Sequence, residues 1–229
     1  MADMADITEP LERVHGERAL GAILAIQMAT IFIVAPLAAG AAVSIQMVEL
    51  LRLGLAAVTI LIVARSPMAR AIIGAASLAT LAASLQWRLG EPAAVVATVK
   101  ILVTILFDCV VAAMVALVVF KQGRVTVHRI LGAVILYLYV ALIFAGLYGI
   151  AVTMLHPSFS GLTPDTRGRF ASLLYFSLGS LTTGGTGDLI PIDPIVRSLS
   201  SLESVIGQLF PATLLARLVT LHAASKAAS

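Results

Sequence analysis

The residues best placed to do chemistry form one run, Ser180-Leu181-Thr182-Thr183-Gly184-Gly185-Thr186-Gly187-Asp188, set between two apolar segments. Glycines and small hydroxyl residues at this density leave the main chain bare and free to bend. Inside a bilayer, non-helical backbone is tolerated only where it is buried in protein or lines a water-filled cavity. A short helix that dips in and ends in such a loop would turn carbonyl oxygens toward a hydrated ion. The glycines also raise a nucleotide reading, which fails: the loop lacks the Lys-Ser/Thr ending of a phosphate-binding loop and the flanking strand of a dinucleotide fold.

A second set of candidates is charged. Glu49, Arg52, Lys100 and Asp108 lie inside apolar segments, where each costs about 2.5–3.5 kcal/mol at a span centre on insertion scales. Glu49 and Arg52 stand one helical turn apart, and a rise of about 1.5 Å per residue puts them near the depth of Lys100 and Asp108. The expectation is a network that holds a helix bundle together; a proton or substrate relay is the sharper alternative. His15, His128, His156 and His222 are scattered and form no ligand cluster. Cys109 reads as a small buried hydrophobe, and Tyr137, Tyr139 and Tyr148 read as packing. No nucleophile–base pair stands out, so no enzyme is expected.

These residues must be positioned by membrane helices. Hydrophobic residues make up 60% of the chain and charged residues 12%, a membrane composition. A net charge of +3 is too small to point to nucleic acid. A span needs about 20 mostly apolar residues, and 20–39, 45–64, 71–87, 93–120, 131–155 and 194–222 qualify or nearly so. The expected organisation is a cytosolic arm (1–19), a four-helix transmembrane domain (20–122), a pore-like domain (123–222) and a short tail (223–229). The charged start, followed by a run long enough to span, predicts no cleavable signal peptide. The short tail predicts no cytosolic ligand-binding domain. Arg65, Arg70, Lys121, Arg124 and Arg129 fall in loops on one side, which places both termini in the cytoplasm of a cell-membrane protein.

Local signals delimit the re-entrant segment. Thr163-Pro164-Asp165 suits a helix start, with a cap, a proline at the first position and an acid at the positive dipole end. The helix then runs to about Leu181, too short to cross, and its C-terminus carries about half a negative charge that favours a cation. Asp193-Pro194 starts the last helix by the same logic. From Pro194 to His222 that helix is about 43 Å long, against a core of about 30 Å, so it must tilt or bend. Pro211 cannot bond the Gly207 carbonyl, which makes the pair a candidate hinge or a fixed kink. Ser204, Gly207, Gln208 and Leu215 are candidates to face a cavity. Glu203, early in the helix, either braces the short helix or is solvated at the outer mouth.

The run Leu181 to Asp188 resembles the filter of tetrameric potassium channels, T-V-G-Y-G followed by D. The resemblance extends through Tyr175-Phe176-Ser177 before it and through Arg197-Ser198-Leu199 and Glu203 to Leu209 after it. It covers roughly Leu131 to His222. Gly184 stands where valine is usual and Thr186 where tyrosine is usual.

The resemblance implies an all-α integral membrane protein with six transmembrane helices plus a re-entrant pore helix and filter loop, assembled as a homotetrameric channel. One filter segment per chain cannot enclose an ion, so closed fourfold assembly follows. The carbonyls of Thr183, Gly184, Gly185 and Thr186, with the Thr183 hydroxyl, would replace the hydration shell of a bound potassium ion. Thr182, Gly187, Asp188 and Glu203 would support them. Gly185 and Gly187 keep the family's glycines and can take the positive φ that such a ladder demands. Gly184 and the lost aromatic ring at Thr186 predict a compliant filter with weak or altered discrimination of potassium from sodium. Partners would be other copies of the chain, membrane lipid and monovalent cations, with no nucleic acid and no organic cofactor. A transporter-like or accessory protein, with the charged set doing the coupling, is the alternative.

The first four spans stand where six-span channels carry a voltage sensor, but the fourth offers only Lys100. Moving one charge through the full field is worth about 2.3 kcal/mol per 100 mV, and steep gating needs three or four per subunit. Ion flux through the purified protein should therefore change little with membrane voltage. A steep rise in current on stepping the voltage would contradict this.

Overall fold

The computed structural model of the 229-residue chain describes residues 21–40, 94–120, 127–163 and 166–227, with isolated positions between 51 and 82. The expected arm (1–19), most of the second and third spans, Glu49, Arg52, Pro164 and Asp165 lie outside the described residues. The described elements are helix α1 (Gly21–Ala39), α2 (Ala94–Val119), α3 (Val127–Met154), strand β1 (Phe159–Ser160), α4 (Thr166–Leu181), β2 (Ile190–Pro191) and α5 (Pro194–Ala227). Among the described residues four stretches are long and apolar enough to cross a membrane: Gly21–Ala39, Val95–Leu117, Ile130–Met154 and Pro194–Ala216. The protein is thus mostly helical and multi-pass in character. Helix α4, with 16 residues, spans about 24 Å and falls short of crossing.

Helices α2 and α3 pack along their length. Ile135 and Tyr139 of α3 meet Phe107, Val111 and Val115 of α2 in one buried cluster. Gly132 and Gly146, about four turns apart on α3, allow the approach: a Cβ at either would come within 2.6 Å of Val119 Cγ2 or Ile105 Cγ1. Small residues at such contacts are how membrane helices gain packing area. The outer face of α2, with Val95, Val99, Leu102, Leu106 and Leu117, is exposed and suits hydrocarbon. Cys109 is also exposed, which corrects the expected burial. It lies off the face defined by Phe107, Asp108, Val111 and Val115.

Helix α1 presents a stripe in steps of four: Ile23, Gln27, Ile31 and Ala35, all buried. On a regular α-helix such a stripe drifts by about 40° per step. A π turn at Thr30–Val34, where the Ala35 N–H bonds the Thr30 carbonyl, widens the helix and takes up part of the drift. Ile23 joins the α2–α3 cluster. Ile31 and Ala35 pack with Leu138, Ala141 and Ala145 of α3 and with Leu174 and Leu181 of α4. Two of the three cores therefore combine residues from before and after position 122.

Helix α5 begins as its sequence indicates. Asp193 accepts the Ile195 N–H at 2.7 Å through its side chain and the Arg197 N–H through its carbonyl at 3.0 Å. A cap of this kind contributes about 0.5–2 kcal/mol. The helix runs past His222 to Ala227 with Pro211 inside it.

Gln27 is 1% exposed, and both polar atoms of its side chain lack hydrogen-bond partners among the described residues. A buried unsatisfied amide costs about 1–3 kcal/mol. Replacing Gln27 with Leu should therefore raise the thermal midpoint of the detergent-solubilised protein. A lower midpoint would mean that the amide is bonded in the assembled protein.

Candidate functional site

The site is built at the C-terminal end of α4, where the chain leaves the helix. The Thr182 N–H and hydroxyl both reach the Leu178 carbonyl, at 3.0 and 2.7 Å. Thr183 then adopts φ 57° and ends the helix, a position usually given to glycine. A β-branched residue in this region is a rare conformation, and two bonds hold it there. The Thr183 hydroxyl donates to the Thr182 carbonyl at 2.7 Å and accepts from Gln208 Nε2 of α5 at 3.1 Å. Gly185 (φ 71°) is the second positive-φ residue of the loop. Gly187 is not among them.

The loop folds back on α4. The Gly185 N–H bonds the Gly179 carbonyl at 3.1 Å, and a Cβ on Gly179 would come within 2.9 Å of Thr186 Cγ2. Thr186 thus packs its methyl against the short helix, where the resembling family places an aromatic ring, and its hydroxyl donates to the Leu189 carbonyl at 2.8 Å. At the far end of the loop, Gly161 (φ 81°) lies so close to the Asp188 carbonyl that a Cβ would overlap it. The paired strands β1 and β2 therefore support the loop's exit.

Helices α3 and α5 hold the end of α4. Tyr137 donates to the Leu181 carbonyl at 3.1 Å, and Ser204 to the Ser180 carbonyl at 2.9 Å. Ser180 and Ser200 pair through their hydroxyls at 3.0 Å. Gly207 is buried with its α-carbon against the Leu181 carbonyl, with no room for a Cβ. Glu203 is fully buried, which decides between its two expected positions: it bonds Ser177 of α4 and accepts from Tyr148 of α3 at 2.7 Å. Tyr148, Phe159 and Phe176 close this cluster with edge-on ring contacts of 5.0–5.8 Å.

Thr182, Thr183, Gly184, Gly185, Gly187 and Asp188 are exposed in the single chain, and Thr186 is half-buried. No hydrogen bond among the described residues ends on the carbonyls of Thr183, Gly184, Gly185, Thr186 or Gly187. Main-chain acceptors at membrane depth require partners, and five consecutive open carbonyls form a row suited to a cation. Among the described residues no three His, Cys, Asp or Glu side chains converge.

The structure brings Thr182, Thr183, Gly184, Gly185, Thr186, Gly187, Asp188, Glu203, Gly207 and Gln208 into one region. Ser204 and Gly207 face α4 rather than a cavity, since both contact its last carbonyls. Pro211 is exposed, one turn further along α5. Lys100 is half-buried and Asp108 buried on α2. Tyr137 and Tyr148 pack as expected, in or against the buried clusters, and both also anchor the site through their hydroxyls. Their spacing of eleven residues, about three turns, was the available signal, because a buried tyrosine hydroxyl usually finds a partner.

With this geometry in place, residues 134–223 match the family model described as ion channel. The match covers most of α3, the short helix, the loop and most of α5, which is less than half of the chain, and supports an ion channel. No curated protein matches the chain, and no solved structure does.

Replacing Gly207 with Ala should displace α5 from the end of α4, at a cost of about 1–3 kcal/mol or more. Gly21→Ala, where a Cβ meets open space, should leave the protein unchanged. Thermal midpoints of the two variants, compared with the parent, check this contrast.

Proposed function

We propose that four copies of this chain form a cation channel in the cell membrane. Potassium would pass down its gradient through a filter lined by the carbonyls of Thr183, Gly184, Gly185 and Thr186. The single observation that carries this reading is the row of open carbonyls on a loop between an incompletely crossing helix and a full span. The match of residues 134–223 to the ion channel family supports conduction over catalysis. The C-terminal end of α4, with about half a negative charge, adds to the attraction for a cation.

In this reading Thr182, Gly187, Asp188 and Glu203 support the filter, and both termini are cytoplasmic. Gly207 and Pro211 mark where α5 bends on opening, with the contact at Leu181 as the fixed end. Lys100 and Asp108 join Glu49 and Arg52 in a charge network of the first four spans. Gly184 and Thr186 loosen the filter and reduce discrimination against sodium.

The test is flux into liposomes containing purified protein, with potassium, sodium or N-methylglucamine outside. Saturable uptake of potassium and, to a lesser degree, sodium, with none of the large cation, is the expected result. Uptake that requires an opposing proton gradient would replace the channel with a transporter. A potassium-to-sodium ratio as high as that of a strict potassium filter would reject the loosened filter while keeping the channel.

A further inference from the structure

Behind the loop, the hydrogens around Glu203 can be counted. Ser177 Oγ lies 2.8 Å from the Ala141 carbonyl and also within bonding distance of Glu203 Oε1. The Tyr148 hydroxyl donates to Glu203 Oε2 at 2.7 Å. A serine hydroxyl carries one hydrogen, which makes one full bond or is shared between two acceptors, as the Ser204 hydroxyl is between the carbonyls of Ser180 and Ser200. The Ala141 carbonyl has only lone pairs, so the short contact between Ser177 and Ala141 needs that hydrogen. A full bond between Ser177 and Glu203 then needs a hydrogen of its own, and the carboxyl group can supply it.

With Glu203 as an acid, three hydrogens fill three contacts. Tyr148 donates to Oε2, the Oε1 hydroxyl donates to Ser177, and Ser177 donates to Ala141. With Glu203 as an anion, the single Ser177 hydrogen is divided between the Ala141 carbonyl and Oε1, and both contacts weaken. The surroundings point the same way. Glu203 is 0% exposed, and no cationic side chain acts on it among the described residues. An uncompensated buried carboxylate is the costliest arrangement available at such a place.

The groups that face it are Tyr148 and, at longer range, Tyr137 from α3, and Ser177 from α4. No charged group of its own helix bonds it among the described residues: Arg197, about two turns earlier, is exposed and donates to the Pro191 carbonyl at 2.9 Å.

We propose that Glu203 is a neutral carboxylic acid in the folded protein and acts as a positioning residue, relaying a hydrogen-bond chain Tyr148–Glu203–Ser177–Ala141 that ties α5, α3 and α4 together behind the loop. It touches no ion. Its effect on conduction rests on the channel reading above, whereas its protonation state does not.

The experiment is an infrared difference spectrum between the full-length wild type and Glu203→Gln in lipid at neutral pH. The expected result is a carboxylic-acid C=O band present in the wild type and lost in the variant. Tyr148→Phe should move that band to higher frequency, because the carbonyl oxygen loses its donor. Carboxylate bands in place of the acid band would overturn the proposal.

Rescue supplies the second readout. A glutamine can donate to Ser177 and accept from Tyr148, so Glu203→Gln should keep potassium uptake within about twofold of wild type. Glu203→Ala should lower it about tenfold by leaving buried partners unmade. A folded Glu203→Gln protein as impaired as Glu203→Ala would also overturn it. If the wild type takes up no cation, the channel reading fails, and the infrared bands still decide the state of Glu203.

Discussion

A carbonyl oxygen that leaves a helix inside a bilayer has no water to fall back on, and the C-terminal half of this protein is arranged around that constraint. Helix α4 ends at Leu181, so its last carbonyls lose their intrahelical partners. Ser180 and Leu181 recover them from Ser204 of α5 and Tyr137 of α3. The Thr182 carbonyl takes the Thr183 hydroxyl, and beyond it no hydrogen bond among the described residues ends on the carbonyls of Thr183, Gly184, Gly185, Thr186 or Gly187. The contrast between the satisfied end of the helix and the open loop defines the candidate site more sharply than the glycines alone.

The support behind the loop is polar and dense. Ser200, Glu203, Ser204 and Gly207 recur at helical spacing along one face of α5 and meet Ser177, Ser180 and Leu181 of α4. In the membrane, apolar burial does not distinguish one helix contact from another, so hydroxyl pairs and close backbone approach specify which face meets which. The aromatic rings of Tyr148, Phe159 and Phe176 then enclose the carboxyl group on its α3 side.

Much of this was legible in the sequence where local chemistry decides. The start of α5 followed from Asp193-Pro194, the short helix from its length, and the loop from its glycines and threonines. What could not be read was rotational phase. Helices α2 and α3 are apolar almost all round, and such a pattern does not say which face turns inward. For that reason Cys109 was expected inside, and the hydroxyls of Tyr137 and Tyr148 were not expected to reach α4 and α5. Gly207 was read for flexibility, whereas its visible role is space, because the carbonyl it meets lies 26 positions away in the sequence. The left-handed turn at Thr183 was hidden for a similar reason: Gln208, which steadies it, comes from another helix.

The seat of α1 has its own consequence. Ile31 and Ala35 share a core with Leu174 and Leu181, so a helix near the beginning of the described chain buttresses the very turn from which the open loop departs. A chain cut at residue 122 would keep its hydroxyl ties and its row of oxygens but lose this lateral wall, presenting Leu174 and Leu181 to lipid. Whatever moves the front of the molecule has a lever on the loop without passing through the connection between α2 and α3.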